Sequence, residues 1–377
     1  MNFGEINLSK VLCEPGGGGR FEDKLERLKE SLYPVYIFGG GSGGASVAGM
    51  LISNGIEIAG FCESRYYYRA DRTILGKPVY LYDDIHSKLE RYNLVLGASG
   101  KSIYSVIAAE RKSGNDIYVF NTVKPLFEMS YEWVCAHLEE LEKSLELFSD
   151  DLSRETFLSF INDKVQCIGA DVRPLWNLWV NDQYFNELYP FDYFGTHALV
   201  DCGAWIGDTC EEFLHFVEDA GYEGKAYAFE PEPDNYLKLQ QTSDKKGRIE
   251  CYPFAVGSRK QEVMFCTGNS SMSHLTVNGE GTPVSMVPVD EILADRKISL
   301  VKMDLEGGEE DALNGMRNII IKNSPMLAIC VYHKVDDLIR IPNCIESIVH
   351  QTNTRYKYYL RHHSSTSYET VLYAVPD

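Results

Sequence analysis

The chain has 377 residues, a formal net charge of −19, 44% hydrophobic residues and 24% charged ones. That length exceeds what one core usually organises, so two or more globular domains are expected, and the composition excludes fibrous, collagenous and disordered classes. The negative field excludes nucleic acid as an expected partner. No apolar run is long enough to span a membrane, and the start MNFGEINLSK lacks the basic and apolar regions of a secretory signal, so a cytoplasmic location is expected. The 10 cysteines contain no C-x-x-C pair and mostly sit in apolar runs, which reads as reduced, buried thiols without a structural zinc.

Taken in order, residues 1–33 form an N-terminal segment in which Pro15 and Gly16 to Gly19 read as a flexible joint, followed by a helix with Leu25, Leu28 and Leu32 on one face. Residues 34–126 read as a Rossmann-like α/β domain of nucleotide-binding type. Its first strand, Pro34 to Phe38, runs into Gly39, Gly41 and Gly44, spaced as G-x-G-x-x-G. The next strand ends at Glu63, 19 positions after Gly44, where a ribose-binding acid belongs. Two readings stay open here: a bound nucleotide or nucleotide-sugar, and a bare turn. Further strands are expected at Leu94 to Ser99 and Asp116 to Phe120, and Tyr66 to Tyr68 reads as a packing surface that can alternatively stack on a base.

Residues 127–195 read as a helical connector, with Trp133, Leu138, Leu141, Leu145 and Phe148 at helical spacing and Ser153 as the cap of a helix. Residues 196–377 then alternate strand and helix and end in two strands joined by Ser364 to Ser367, the pattern of a mostly parallel sheet closed by an antiparallel hairpin. The whole is thus an α/β protein of two Rossmann-like domains. Ile249 to Val256 is expected as one strand, and Asn269 to Met272 as a polar loop over an acceptor or a solvated turn.

The densest signal is Leu199 to Thr209, an apolar run ending at Asp201, a turn with Gly203 and Gly207, and a helix start at Asp208. Two acids at such a turn would repel a pyrophosphate, whereas a ligand carrying an ammonium and a sulfonium, S-adenosylmethionine, suits them. A second apolar run ends at Glu230, 22 positions after Asp208, placed to accept hydrogen bonds from ribose hydroxyls, and Pro231 stops it. Solvated acids at a glycine-rich turn are the plain alternative.

Four motifs, VDCGAWIGDT, YAFEPEP, VKMDLEGGE and VYHKVDDLIRIP, together resemble the FkbM family of S-adenosylmethionine-dependent methyltransferases over roughly Ser153 to Pro376. The resemblance implies a class I methyltransferase sheet with a terminal antiparallel hairpin and an O-methyltransferase acting on a hydroxyl of a sugar, a polysaccharide precursor or a secondary metabolite. The expected cofactor-binding residues are Asp201, Gly203 and Gly207 along the methionine portion, Asp208 at its ammonium, Glu230 at the ribose, and Pro231, Ala255 and Val256 near the adenine. Tyr184 matches the family pattern as an aromatic over the cofactor, or packs in the core.

Asp304 and Glu306 are expected on one face at the end of a strand, to hold the cofactor, position the acceptor or take its proton. His333 is the expected general base because histidine titrates near neutrality. One of His362 and His363 is the alternative. A divalent ion on Asp304, Glu306 and His333 is the weaker reading, and no metal is expected. Two other functions compete: a nucleotide-binding module with a non-catalytic second domain, and an NAD-dependent oxidoreductase using Gly39 to Gly44.

Overall fold

A computed structural model of the protein describes residues 21–97, 106, 109–110, 112–119, 129–165, 173, 175–244, 247–266, 274–276, 281–364 and 368–377. The glycine run at 15–19, Cys13, Cys167, Ser99, Phe120, the loop at 269–272 and the turn residues 365–367 lie outside them. The chain divides into two compact units. One contains the residues up to Ala136 with Glu155–Asn181 and Ser364–Glu369, the other His137–Arg154, Asp182–His363 and Thr370–Asp377. No helix among the described residues is long and apolar enough to cross a membrane, and Cys62, Cys135, Cys202, Cys210, Cys251, Cys330 and Cys344 are free thiols.

The first unit is built on a six-stranded sheet of β1 (Val35–Phe38), β2 (Gly60–Glu63), β3 (Thr73–Ile74), β4 (Lys77–Leu81), β5 (Asn93–Leu96) and β6 (Asp116–Val119), in the order β3-β4-β2-β1-β5-β6. All pairs but β3 with β4 are parallel. β1, β2 and β5 are buried along their whole length, as strands covered on both faces must be.

The second unit carries β7 (His197–Cys202), β8 (Gly224–Phe229), β9 (Ile249–Tyr252), β14 (Leu300–Met303), β15 (Met326–Cys330), β16 (Tyr356–His362) and β17 (Thr370–Pro376). They form one seven-stranded sheet ordered β16-β17-β15-β14-β7-β8-β9. β17 runs antiparallel to β15 and β16, while the other pairs are parallel. From β7 the chain moves outward to β8 and β9, and from β14 outward to β15. The order therefore reverses between β7 and β14, and their carboxyl ends open the crevice where such sheets bind ligands. A separate four-stranded sheet, β10-β13-β11-β12, is built from β10 (Ala255–Val256), β11 (Gln261–Cys266), β12 (His274–Thr276) and β13 (Thr282–Val287).

Two local expectations are corrected. The run from Ile249 does not continue to Val256: it stops at Tyr252, ahead of Pro253, which has no N–H for the ladder, and Ala255 and Val256 pair with Met286 and Val287 in the small sheet. The helix Asp151–Lys164 is capped by Asp150, whose Oδ1 accepts from the Ser153 N–H at 2.8 Å. Ser153 Oγ instead accepts the Leu360 N–H at 3.0 Å, and Arg361 clasps Asp150 at 2.6 Å, so this helix start is tied to β16.

Candidate active site

β7 and β14 put Asp201 directly opposite Lys302. Both are buried, and the ammonium lies 3.0 Å from Asp201 Oδ1 while donating to the Gly203 carbonyl at 2.8 Å. Burial works against the charge on Lys302, but Asp201 and Asp304 outweigh it and hold the ammonium protonated well above its usual range. Asp201 Oδ2 also accepts from the Cys210 thiol. The expectation that Asp201 borders a ligand is therefore revised: its carboxylate is consumed inside the fold, where it fixes the turn through Lys302.

Gly203 has φ 81°, and a Cβ there would stand 2.2 Å from the Asp304 carbonyl oxygen. The chain's own backbone makes the close approach, so the turn after β7 and the turn after β14 touch at this glycine. Gly207, with φ 86°, precedes the helix Asp208–Asp219, and a Cβ there would meet Leu239 at 2.7 Å. Asp208 is exposed at that helix start.

Glu230 follows β8 and is buried, its Oε1 accepting from the Glu232 N–H and its Oε2 from the Trp205 N–H, each at 2.9 Å. Burial pushes its carboxyl up to about 7. Those N–H groups hold the carboxylate in place, and each oxygen keeps a lone pair for a vicinal diol. Trp205 sits at φ 47° with its side chain 54% exposed. Pro231 is half-buried beside Glu230. Tyr184, expected over the cofactor or in the core, is buried: its ring lies 5.6 Å from the Lys302 ammonium and its backbone N–H donates to the Tyr373 hydroxyl. A turn flanked by the exposed Asp208 and the buried Glu230 fits a donor that bears positive charge and a ribose.

Beyond β14 the structure gathers Asp304, Glu306, Glu309 and His333. Strand alternation is not what unites Asp304 and Glu306, because β14 ends at Met303. A turn does it instead, with Glu306 at φ 52° and Gly307 at φ 97°. Glu309 Oε1 accepts the N–H groups of Leu305 and Gly307 from inside that turn. His333 then enters from the end of β15, with Nε2 3.2 Å from Asp304 Oδ1 and 3.8 Å from Glu306 Oε2, and Nδ1 2.8 Å from Glu309 Oε1. The Tyr332 hydroxyl donates to Asp304 at 3.3 Å, and Asp337 Oδ2 accepts the backbone N–H groups of His333 and Lys334.

This arrangement corrects the reason for choosing His333 as base. Burial disfavours its charge, but Asp304 and Glu309 outweigh that and hold the imidazole well above its ordinary range. The same two carboxylates favour a proton on this imidazole over a free one. Asp304 moves the other way: against the cost of burial, His333 and Lys302 keep its carboxyl well below the usual range. His362 and His363 are turned to β17, with Nδ1 of the first 2.9 Å from Thr370 Oγ1 and Nε2 of the second 2.8 Å from the Tyr373 hydroxyl.

In the first unit, the glycine turn is tightly built. A Cβ on Gly44 would strike the Gly39 carbonyl oxygen at 1.9 Å, and one on Gly40 would strike Glu63 Oε1 at 2.3 Å, whereas Gly41 faces open space. Glu63 is buried and pairs with Arg72 at 2.8 Å, and Arg72 also donates to the Gly40 carbonyl. Tyr68 packs on the core beneath, but Tyr66 and Tyr67 are 79% and 59% exposed, so packing accounts for only one of the three.

Residues that sequence reasoning missed are Lys302, Glu309, Tyr332 and Asp337. A lone lysine inside the apolar run of β14 was the visible signal for the first, since a buried ammonium requires a partner. Glu309 read as a helix-start acid, and nothing local announced its inward direction.

Residues 201–353 match the family model of the Methyltransferase FkbM domain. Among solved structures, the chain is similar to methyltransferase FkbM from Methylobacillus flagellatus, with 19% identity, a TM-score of 0.60 and 94% of each chain covered. A SAM-dependent methyltransferase from Aquifex aeolicus shares 12% identity over 49% of this chain and 85% of its own, with a TM-score of 0.27. Aeropyrum pernix fibrillarin with natively bound S-adenosyl-L-methionine shares 12% over 48% and 66%, with a TM-score of 0.30. A comparison with curated protein sequences gives no match.

Proposed function

We propose, from a chain that carries a Methyltransferase FkbM domain at residues 201–353, that this protein is an S-adenosylmethionine-dependent O-methyltransferase. Its acceptor is a hydroxyl of a sugar, a polysaccharide precursor or a secondary metabolite. The supporting observation is the contact at Gly203, which sets the turn of the donor side against Asp304, the first member of the acid–histidine cluster.

Gly203, Gly207 and Asp208 flank the methionine portion of the donor, Glu230 accepts its ribose hydroxyls, and Pro231 borders the base. Asp201 acts through Lys302, which grips the Gly203 carbonyl and so positions the turn. When bound, the cofactor supplies an electrophilic methyl group: the acceptor oxygen forms the new C–O bond, the S–C bond breaks to leave a thioether, and the hydroxyl proton departs. Asp304 and Glu306 orient the acceptor hydroxyl and take that proton, while His333 and Lys302 keep Asp304 charged and fixed. Orientation supplies much of the rate in such a displacement.

The first unit is read as a nucleotide or nucleotide-sugar binder, supported by Glu63 Oε2, which is buried with no hydrogen-bond partner. The helix Ser42–Ser53 also has no acid in its first turn to repel a phosphate.

The test is methyl transfer from labelled S-adenosylmethionine to a panel of sugar and secondary-metabolite acceptors bearing free hydroxyls, with the methylated atom assigned by NMR. Transfer to oxygen is expected, and Asp304→Asn should lower turnover by about 10²–10⁴-fold while S-adenosylhomocysteine affinity holds. Methylation at nitrogen or carbon, or full turnover in Asp304→Asn, overturns the reading.

A further inference from the structure

We propose that the ring face of Trp205 recognises the sulfonium of the methyl donor, so that the site holds the charged donor more tightly than the neutral product. The inference deepens the methyl-transfer reading and rests on it.

The backbone carries the first half of the argument. The turn after β7 is latched to the end of β8: the N–H groups of Gly203 and Ala204 both donate to the Phe229 carbonyl at 3.0 Å, and the Gly207 N–H donates to the Ala204 carbonyl at 2.7 Å. Within it Gly203 stands at φ 81°, Trp205 at φ 47° and Gly207 at φ 86°. Glycine takes that left-handed conformation freely, whereas a residue with a side chain is strained there. A glycine at 205 would suit the turn better than the tryptophan does.

Packing does not offset the strain. The side chain is 54% exposed, and among the described residues its ring has no aromatic or cationic partner and its Nε1–H no acceptor. An indole held out into solvent from a strained backbone contributes little to the fold, and an outlier of that kind points to a ligand.

Position identifies the part of the ligand. Trp205 lies between Gly203 and Gly207, which flank the methionine portion, and its N–H donates at 2.9 Å to Glu230, the carboxylate that takes the ribose hydroxyls. In the donor, the atom joining those two portions is the sulfur. A carboxylate facing it would compete with the acceptor as a nucleophile for the methyl group. The face of an indole supplies negative potential without a basic lone pair. Asp201 cannot take this part, because it is buried and paired with Lys302, and Asp208 stands further on, at the helix start. Once the methyl group has left, the sulfur is a neutral thioether, the attraction ends and the product is released more readily.

The experiment is calorimetry on the full chain with S-adenosylmethionine, with S-adenosylhomocysteine, and with sinefungin, which bears an ammonium in the region of the sulfonium. Trp205→Leu keeps an apolar side chain and removes the ring face. It should weaken the two cationic ligands about 3–30-fold and S-adenosylhomocysteine less than about 2-fold. Trp205→Phe should recover most of that difference. Trp205→Gly, relieved of strain, should keep the thermal midpoint of the parent and show the same selective loss. Equal losses for all three ligands make the ring a plain wall, unaltered affinities in Trp205→Leu remove it from the donor, and a steep fall of the thermal midpoint in Trp205→Gly makes it a packing residue; each overturns the inference. A parent chain that binds none of the three ligands sinks the donor reading itself, whereas tight binding by the parent without a selective loss in Trp205→Leu removes only the role of Trp205.

Discussion

The protein contains the same local device twice, a strand, a glycine turn, a helix and a second strand ending in an acid, and the two copies are wired differently. In the first unit, Glu63 is held by the guanidinium of Arg72, and the helix start after Gly41 is free of acids. In the second, Glu230 has two backbone N–H groups and, among the described residues, no ion-pair partner, while Asp208 opens the following helix. One turn thus opens on a helix start without an acid, the other on a helix start that carries Asp208. The glycine spacing makes room; the titratable groups around it choose the guest.

The comparison breaks most sharply at Lys302. Lys302→Met leaves Asp201 buried without its cation, which should cost about 3–5 kcal/mol of stability, and adding Asp201→Asn should restore a large part of it. Chemical denaturation of both variants measures this. The first unit has no equivalent strand lysine beneath its turn among the described residues, so its unfolding, if separable, should be untouched.

Next in size is Gly203→Ala. The new Cβ would meet a backbone oxygen at 2.2 Å from a positive φ, which should cost about 1–3 kcal/mol and abolish S-adenosylhomocysteine binding by calorimetry.

Glu230→Ala should weaken the same binding by about 1–3 kcal/mol if both ribose hydrogen bonds are lost, while Glu63→Ala leaves it unchanged. A pH series sharpens this contrast. Because the Glu230 carboxyl is raised from 4.5 to about 7, the folded chain binds its proton more tightly than the unfolded chain does. Its contribution to stability therefore falls as pH rises through that window. Ribose hydroxyls need the ionised form, so the thermal shift given by S-adenosylhomocysteine should be larger at pH 8 than at pH 6, and Glu230→Gln should flatten the difference.

The smallest effect belongs to Gly41→Ala. With nothing within 4 Å of the added Cβ and an ordinary φ of −81°, the change should stay within about 0.5 kcal/mol. A large loss would mean that the first turn is as constrained as the second.

Much of the fold was legible because buried parallel strands announce themselves as apolar runs, and those ending at Cys202, Phe229, Met303 and Cys330 each hand over to polar residues at the crevice edge. Pro253 was in plain view, yet the run containing it read as continuous because Ala255 and Val256 are as apolar as the strand before them. The site was half legible. Asp304, Glu306 and His333 could be named from their places at strand ends. The state of His333 could not, since its charge is favoured by Asp304 and Glu309, more than 20 positions away along the chain. Glu309 misled for a related reason: position suggested a helix dipole, whereas the Leu305 and Gly307 N–H groups turn it inward.

The touch between Gly203 and the main chain at Asp304 has a practical consequence. What the turn after β7 requires of residue 304 at this contact is its carbonyl, which every amino acid supplies, while the Asp304 carboxylate acts on the same turn only through the charge of Lys302. Residue 203 must stay glycine whatever side chain stands at 304.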